Sequence, residues 1–273
     1  MPPKVGILAG GGDLPERLVD ACRAAGRDVF VITFDGAAEY GDLGDTPHAS
    51  VRLGAVGKTL KILHGEGCEE VILAGPIRRP NLKSLRPDLR GARLLPRILA
   101  AKGDDALLTT IVEELEGDGF RVVGADDLLP HLLAAVGELG RVTPGDDERR
   151  DIAQGAQVLR ALGPYDVGQA AIVSAGYVLG IEAAEGTEAL IARIASIKPP
   201  GRAGVLVKLP KPGQDRRVDL PAIGEATVAQ CAAAGLAGIA VESGGVLVID
   251  QDRAVVAADA AGLFLAGIEA ATP

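Results

Sequence analysis

The N-terminal segment has the pattern of a strand, a glycine-rich turn, a helix and a second strand. Val5–Ala9 is a short apolar run that leads directly into three consecutive glycines, Gly10–Gly12. Leu14–Ala25 then carries apolar residues at helical spacing, and Asp28–Phe34 is again mostly apolar. Because strands joined through a helix pair in parallel by a right-handed crossover, this pattern predicts an α/β domain built on a parallel sheet.

The second half of the chain has a different pattern. Gln169–Ser174 and Tyr177–Ala183, joined by Ala175-Gly176, predict an antiparallel hairpin. We expect a second hairpin between Gly238–Glu242 and Val246–Asp250. Parallel pairing in the first half and antiparallel pairing in the second half indicate two α/β domains with different sheets.

The polar segment Val142–Asp151 contains Pro144, Gly145 and a cluster of charged residues, so we place the domain boundary there. The expected architecture is a Rossmann-like domain with a parallel sheet, residues 1–142, followed by a mixed-sheet α/β domain, residues 143–273. A chain of 273 residues is long enough for two such domains.

Composition narrows the class of protein. Hydrophobic residues make up 48% and charged residues 24%, which predicts a packed core rather than disorder. The formal net charge of −9 argues against nucleic-acid binding and against a strongly basic face for docking on a membrane. Cys22, Cys68 and Cys231 are far apart and are expected to be buried, reduced thiols. With neither a signal-peptide pattern nor a membrane-length apolar run, we expect a cytoplasmic or peripheral protein.

The first candidate for chemistry is the loop formed by Gly10, Gly11, Gly12 and Asp13, between a predicted strand and a predicted helix. Glycines let the backbone approach a ligand closely, and amides at a helix N-terminus can bind an anion. We therefore favour a phosphate or nucleotide loop over a purely structural turn. The dinucleotide fingerprint G-x-G-x-x-G is not completed here.

Two further motifs in the first half carry charge. Gly75, Arg78 and Arg79 follow a buried strand, where open α/β sheets bind ligands, and the arginines either clamp a phosphate or form a solvated basic turn. Asp104 and Asp105 lie at a predicted helix start. One aspartate can cap that helix, and we favour contact of the pair with Mg²⁺ or with substrate over a purely structural role, since Mg²⁺ prefers oxygen ligands.

In the second half, Gly186 and Thr187 lie between a predicted strand and a predicted helix. Thr187 fits a helix cap, and the glycine beside a helix N-terminus suits a second phosphate position, so both interpretations stay open.

The densest polar stretch follows a buried strand and mixes prolines with both signs of charge, which an ordinary surface loop does not need. Its carboxylates can hold Mg²⁺ and its cations can offset charge on a phosphate. The candidate residues are Lys208, Lys211, Gln214, Asp215 and Asp219. The histidines are scattered, and neither a G-x-S-x-G motif nor a P-loop lysine occurs, which argues against zinc, serine-hydrolase and P-loop chemistry.

Taken together and in this order, the motifs resemble the UDP-2,3-diacylglucosamine pyrophosphatases of lipid A synthesis, of the two-domain rather than the calcineurin-like type. The matching pieces are Gly6–Pro15, Ala74–Pro80, Gly103–Leu108, Glu182–Thr187 and Lys208–Thr227. The resemblance implies Mg²⁺-dependent hydrolysis of UDP-2,3-diacylglucosamine to lipid X and UMP, with water attacking the sugar-side phosphorus. It also implies an active site in the cleft between the two domains.

The resemblance assigns substrate contacts to the glycine loop and the arginines on one side, and to the polar groups of the second half on the other. At one place the chain departs from the family pattern, which has a carboxylate shortly before a Thr-Val pair. Ala226 occupies that place here, next to Glu225, which is the available substitute. We hypothesise that this chain is an inactivated variant that still binds its ligand.

The implied substrate carries two acyl chains, so we expect an apolar groove and partial docking at the cytoplasmic face of the inner membrane. A homo-oligomer is compatible with the sequence. Two alternative functions are retained. One is a nucleotide-sugar or dinucleotide-dependent oxidoreductase that uses the glycine loop, and the other is a non-catalytic protein that binds acylated sugars.

Overall fold

The computed structural model describes residues 2–36, 43–77, 86–101 and 103–270, without the side chain of Asp104. Arg78 and Arg79 lie outside the described residues. The chain divides into two compact units. The first comprises Met1–Pro130 with the short segment Arg217–Asp219, and the second comprises His131–Arg216 and Leu220–Pro273.

The first unit alternates strands and helices. Its elements are β1 (Val5–Ala9), α1 (Leu14–Ala24), β2 (Val29–Phe34), β3 (His48–Val51), α2 (Val56–Gly65), β4 (Glu70–Ala74), α3 (Leu89–Ala100), α4 (Gly103–Gly117), β5 (Arg121–Val122) and α5 (Ala125–Leu128). Within the described residues the strands form one sheet in the order β3-β2-β1-β4-β5, and every pairing is parallel. The predicted Rossmann-like domain is confirmed.

Apolar side chains explain why this sheet forms at the centre of the unit. Ile7 on β1, Ile32 on β2 and Ile72 on β4 are completely buried. Helix α1 turns Leu18 and Cys22 inward. A parallel sheet with such continuous apolar strands has both faces covered by helices, so its carboxyl edge is the part left for polar chemistry.

The second unit is built on a mixed sheet. Its elements are β6 (Gly137–Glu138), α6 (Asp146–Leu162), β7 (Ala170–Ser174), β8 (Tyr177–Ile181), α7 (Gly186–Ala195), β9 (Val205–Lys208), β10 (Ala222–Ile223), α8 (Glu225–Ala233), β11 (Gly238–Glu242), β12 (Leu247–Val248), α9 (Gln251–Ala261) and β13 (Phe264–Ile268). Among the described residues the main sheet has the order β6-β13-β11-β9-β7-β8, and β10 and β12 form a separate small sheet. The predicted mixed-sheet α/β domain is confirmed.

The hairpin predicted between β11 and β12 is wrong. Strand β11 pairs in parallel with both β9 and β13, while β12 pairs in parallel with β10. The reason lies in the side chains, because Gly238–Val241 is buried throughout. A run without apolar-polar alternation is typical of a central parallel strand, and the glycine-rich segment after it is a connection between two sheets.

The contact division falls at Pro130, earlier in the chain than the boundary expected near residue 142. Strand β6 pairs antiparallel with β13, so residues 137–138 already belong to the second unit. The charged cluster that suggested a linker forms the first turn of α6, with Asp146, Asp147 and Glu148 at its N-terminus. Acidic residues are favourable there because they face the positive end of the helix dipole.

The predicted β7–β8 hairpin is confirmed, and a buried carboxylate holds its turn. Ala175 and Gly176 have φ values of 51° and 79°, the left-handed conformation that tight hairpin turns require. Asp151 on α6 is 5% exposed, and its two carboxylate oxygens accept hydrogen bonds from the amides of Ala175 (2.9 Å) and Gly176 (2.8 Å). One side chain therefore connects α6 to the turn of the hairpin.

We expect Asp151→Ala to lower the free energy of unfolding by about 2–3 kcal/mol, because it leaves two amides without their charged acceptor. Asp147→Ala on the exposed side of the same helix is the matched control, with an expected loss below about 1 kcal/mol. Chemical denaturation of both variants measures the difference. Equal losses for the two would contradict a structural role for Asp151.

Candidate functional site

In the first unit, the glycine loop lies where the strand order reverses. Strand β1 is flanked by β2 on one side and by β4 on the other, and Gly10 and Gly75 follow the ends of β1 and β4. Ligands of open α/β sheets bind in the crevice outside the carboxyl ends of strands at such a switch point. Both motifs therefore lie where a ligand of this unit is expected.

The two loops are in direct backbone contact. The amide of Gly10 donates to Ala74 O (2.6 Å) and that of Gly11 to Pro76 O (2.7 Å). A Cβ atom on Gly10 would lie 2.2 Å from Gly75 O, and one on Gly75, whose φ is +84°, would lie 2.1 Å from Gly11 O. Glycine is required at these positions because no side chain fits between the loops.

This contact changes the role expected for the loop. The amides of Gly10 and Gly11 donate to carbonyl groups of the chain itself rather than facing an anion. Gly12 and Asp13 are exposed, directly before α1. The anion-binding prediction therefore rests on this later part of the loop and on the N-terminus of α1.

The two aspartates proposed as metal ligands lie inside the first turn of α4, which begins at Gly103. Asp105 is half-buried, and its carbonyl accepts a hydrogen bond from Thr109 Oγ1 (2.8 Å). No group of three or more His, Cys, Asp or Glu side chains in the described ranges is arranged to hold a metal ion. Mg²⁺ commonly takes one or two carboxylates together with substrate phosphates, and the oxygen donors of Asp105 fit that mode.

The second unit contains a buried ammonium group at the end of β9. Lys208 is 8% exposed, and its Nζ donates to Thr187 Oγ1 and to Ala222 O, each at 3.0 Å. Thr187 Oγ1 in turn donates to Glu182 Oε1 (2.7 Å). Burial raises the pKa of the Cys231 thiol to about 12, against the opposing effect of the Lys208 charge, so that thiol stays protonated.

A second set of hydrogen bonds continues from Glu182. Its Oε2 accepts from the Gln169 amide (3.0 Å), and Gln169 Nε2 donates to Gln214 Oε1 (3.2 Å). The same Gln214 oxygen accepts from the amide of Lys211 (3.0 Å), whose Nζ forms an ion pair with Asp166. One polar network thus contains four candidate residues from separate sequence motifs, namely Lys208, Thr187, Lys211 and Gln214.

Three members of this network were not among the candidate residues. They are Glu182, Gln169 and Asp166. Glu182 stands at the start of a motif that the sequence pointed out, but its two acceptor roles depend on residues in other elements. Asp166 and Gln169 precede β7 and meet Lys211 and Gln214 some 45 positions later, so local spacing carries no signal for them.

Of the two roles left open for this motif, the helix cap at Thr187 does not form. Helix α7 begins at Gly186 with Glu185 as its N-cap residue. The Thr187 hydroxyl is instead placed between the Lys208 ammonium and the Glu182 carboxylate. Gly186, with a φ of +81°, provides the turn that brings Thr187 to this position.

The remaining candidates lie in different surroundings. Asp215 is half-buried, next to Gln214 in the chain, whereas Asp219 belongs to the segment that groups with the first unit. Helix α8 begins at Glu225, whose Oε2 lies 2.9 Å from Nη2 of Arg253. Ala226 is exposed in the first turn of α8. A carboxylate at position 226 would therefore extend from the positive end of a helix.

None of the helices within the described ranges has the length and apolar character needed to cross a membrane.

Fold and site define a two-domain α/β protein with a Rossmann-like first unit, a mixed-sheet second unit and polar groups at strand ends in each. Family models for the LpxI N-terminal domain and the LpxI C-terminal domain match residues 4–132 and 135–266. The chain therefore belongs to the LpxI family.

An individual relative agrees with this assignment. The chain is 43% identical to the UDP-2,3-diacylglucosamine pyrophosphatase LpxI of Caulobacter vibrioides, in an alignment that covers 97% of this chain and 98% of that protein. Among solved structures, the precorrin-6A reductase CobK aligns over 99% of this chain and 90% of its own, with 12% identity and a TM-score of 0.30. That likeness is too low to define the fold.

We expect Gly10→Ala to destabilise the protein by about 1–3 kcal/mol, because the new methyl group collides with the backbone of the loop after β4. Gly65→Ala, in α2 with open space around the added carbon, is the control and should leave stability unchanged or raise it by up to about 1 kcal/mol. Thermal unfolding of both variants checks this. A Gly10→Ala protein as stable as the control would show that the two loops are not in backbone contact.

Proposed function

We propose that this chain hydrolyses the pyrophosphate bond of UDP-2,3-diacylglucosamine to lipid X and UMP in lipid A biosynthesis, with water attacking the sugar-side phosphorus. Membership of the LpxI family and the name of the Caulobacter relative support the reaction. The observation that carries the proposal onto this molecule is the buried Lys208 ammonium with its fixed partners.

Lys208 acts through its charge. An ammonium held in place before the ligand arrives can stabilise negative charge that develops on phosphate oxygens, and it does so more strongly in a water-poor site. Thr187 and the carbonyl of Ala222 fix the direction of the Nζ donors. Gln214 and Lys211 belong to the same network and offer further donors to the anionic substrate.

Hydrolysis forms a bond from the water oxygen to the sugar-side phosphorus and breaks the bond from that phosphorus to the bridging oxygen, which leaves with UMP. The attacking water must lose a proton, for which a carboxylate is suited. We propose that position 226, at the exposed N-terminal turn of α8, is where the family carries this carboxylate. With alanine there, the chain binds its substrate and turns it over slowly.

Restoring the carboxylate tests the proposal. We expect Ala226→Asp to raise turnover by about 10²–10⁴-fold, the usual contribution of a positioned base, and the isosteric but neutral Ala226→Asn to have little effect. Release of UMP and lipid X is followed by mass spectrometry in ¹⁸O-labelled water. The label should appear in lipid X and not in UMP.

Two outcomes would count against this assignment. An unchanged rate in Ala226→Asp would remove position 226 from the reaction, and label in UMP would place the attack on the other phosphorus. Bound substrate without turnover in Ala226→Asp would instead support the alternative of a non-catalytic acylated-sugar-binding protein.

We also propose Mg²⁺ as the cofactor, with Asp104 and Asp105 as its carboxylate ligands. Asp215 and Asp219 are proposed to face the substrate from the second half of the chain. Mg²⁺ would neutralise charge on the pyrophosphate oxygens when bound. Chelation with EDTA should abolish turnover of the Ala226→Asp protein, and added Mg²⁺ should restore it.

Asp105→Asn is expected to weaken Mg²⁺ binding about tenfold or more, read both from the rate and from the rise in melting temperature that Mg²⁺ produces with substrate present. Asp252→Asn, an exposed aspartate in the first turn of α9, is the matched control. If both variants respond to Mg²⁺ as the parent does, the metal assignment to α4 is wrong.

The oxidoreductase alternative finds no support in the site. The dinucleotide fingerprint is incomplete, and the amides of Gly10 and Gly11 already donate to Ala74 and Pro76.

Because the proposed substrate carries two acyl chains, we also propose that the protein contacts the cytoplasmic face of the inner membrane peripherally.

A further inference from the structure

Helix α3 in the first unit carries leucines on its solvent side. Leu89 is 84% exposed and Leu99 is 58% exposed, and Ala92 and Pro96 lie exposed between them. Their spacing along the helix places all four on one face. We call the exposed residues Leu89, Ala92, Arg93, Pro96, Leu99 and Ala100 the outer face of α3.

The opposite side of α3 is fixed to the core. Gly91 and Leu94 are buried, and a Cβ atom on Gly91 would lie 2.1 Å from Gly54 O, so the helix packs directly on the backbone that precedes α2. Asp88 caps the helix by accepting from the amide of Gly91 (2.8 Å) and also accepts from the amide of Lys58 (3.0 Å).

Ion pairs fix the helix on its other flank. Arg90 donates to Glu114 Oε1 (2.5 Å) and to Asp118 Oδ1 (2.6 Å) of the region around α4. Burial raises the pKa of Asp118, but hydrogen bonds from Arg90 and His64 outweigh it and hold that pKa below its usual value. The carboxylate thus stays ionised at neutral pH, and these contacts hold the outer face toward solvent.

Positively charged residues are concentrated in the sequence around α3, where Arg90 and Arg97 are ion-paired with carboxylates of α4 and of Asp118 after it. Eight of the chain's 28 lysines and arginines fall between residues 78 and 102, and Asp88 is the only acidic residue in that stretch, although the whole chain has a net charge of −9. Arg93 is exposed beside the leucines, and we find no hydrogen bond or ion pair to it among the described residues. Apolar side chains flanked by arginines are the pattern of an interfacial helix on anionic lipid.

We propose that the outer face of α3 docks on an anionic lipid surface, with Leu89 and Leu99 entering the headgroup region and Arg93 contacting lipid phosphates. This inference deepens the proposed function, since a substrate with two acyl chains resides in such a surface. A symmetric α3–α3 contact between two copies fits less well, because it would bring the arginines of both helices together.

Vesicle binding by the full chain tests the proposal. We expect the protein to co-sediment with vesicles of phosphatidylglycerol and phosphatidylethanolamine, to release at high salt, and to bind phosphatidylcholine vesicles weakly. Leu89→Ser with Leu99→Ser should reduce the partition coefficient about tenfold or more. Arg93→Glu should reduce binding to the anionic vesicles about fivefold or more.

Matched controls come from the second unit. Val256→Ser removes an apolar side chain that is 68% exposed, and Arg150→Glu reverses an exposed charge on α6. Both should bind anionic vesicles as the parent chain does. Unchanged thermal unfolding of every variant shows that a loss of binding is not a loss of fold.

The possible failures of docking and of the proposed function give different results. Equal vesicle binding by all variants, or no binding by the parent chain, overturns the docking proposal. In that case, turnover of detergent-dispersed substrate by the Ala226→Asp protein still supports the proposed hydrolase function. Variant-sensitive binding without any turnover supports docking and overturns the function. A leucine variant that converts dimers to monomers with unchanged vesicle binding assigns the outer face to contact between copies and overturns docking.

Discussion

A buried ammonium group is the constraint around which the second unit is organised. Lys208 lies at the end of β9, where removing its charge from water would be costly without nearby oxygen atoms. Those oxygens come from α7 through Thr187 and from β10 through Ala222, and Glu182 accepts a hydrogen bond from the Thr187 hydroxyl. Elements that are distant in sequence must meet at one nitrogen atom, so folding itself fixes the position of this charge.

Structural features that depend on neighbouring residues could be predicted from the sequence, whereas features that depend on distant residues could not. The βαβ start, the β7–β8 hairpin and the position of Lys208 at a strand end all follow from runs of neighbouring residues. The contacts of Lys208 with Ala222 and of Gln214 with Gln169 could not be predicted, because the partners lie in distant parts of the chain. The wrong hairpin at β11 has the same origin, since its partners β9 and β13 are fixed by burial on both faces rather than by the glycines that follow it.

The glycine loop shows that one motif can satisfy two physical demands. Gly10 and Gly75 are glycines because two backbones touch, which needs no ligand at all. Gly12 and Asp13 are exposed before α1, so the prediction of an anion site rests on them and on the helix N-terminus. The charge of the chain is also distributed unevenly along the sequence. The net charge of −9 argued against a basic docking face, but α3 and the residues on either side of it concentrate positive charge in one stretch. Sums over a chain do not describe its surfaces.

At position 226 the effect of a side chain on the reaction can be distinguished from its effect on the fold. The side chain is exposed in the first turn of α8 and fills no space in the core, so the fold does not require alanine there. An aspartate would even gain about 0.3–1 kcal/mol from the positive end of the helix dipole. Because alanine at this position contributes no packing, a change in rate caused by Ala226→Asp would be assigned to the carboxylate itself rather than to a repaired fold.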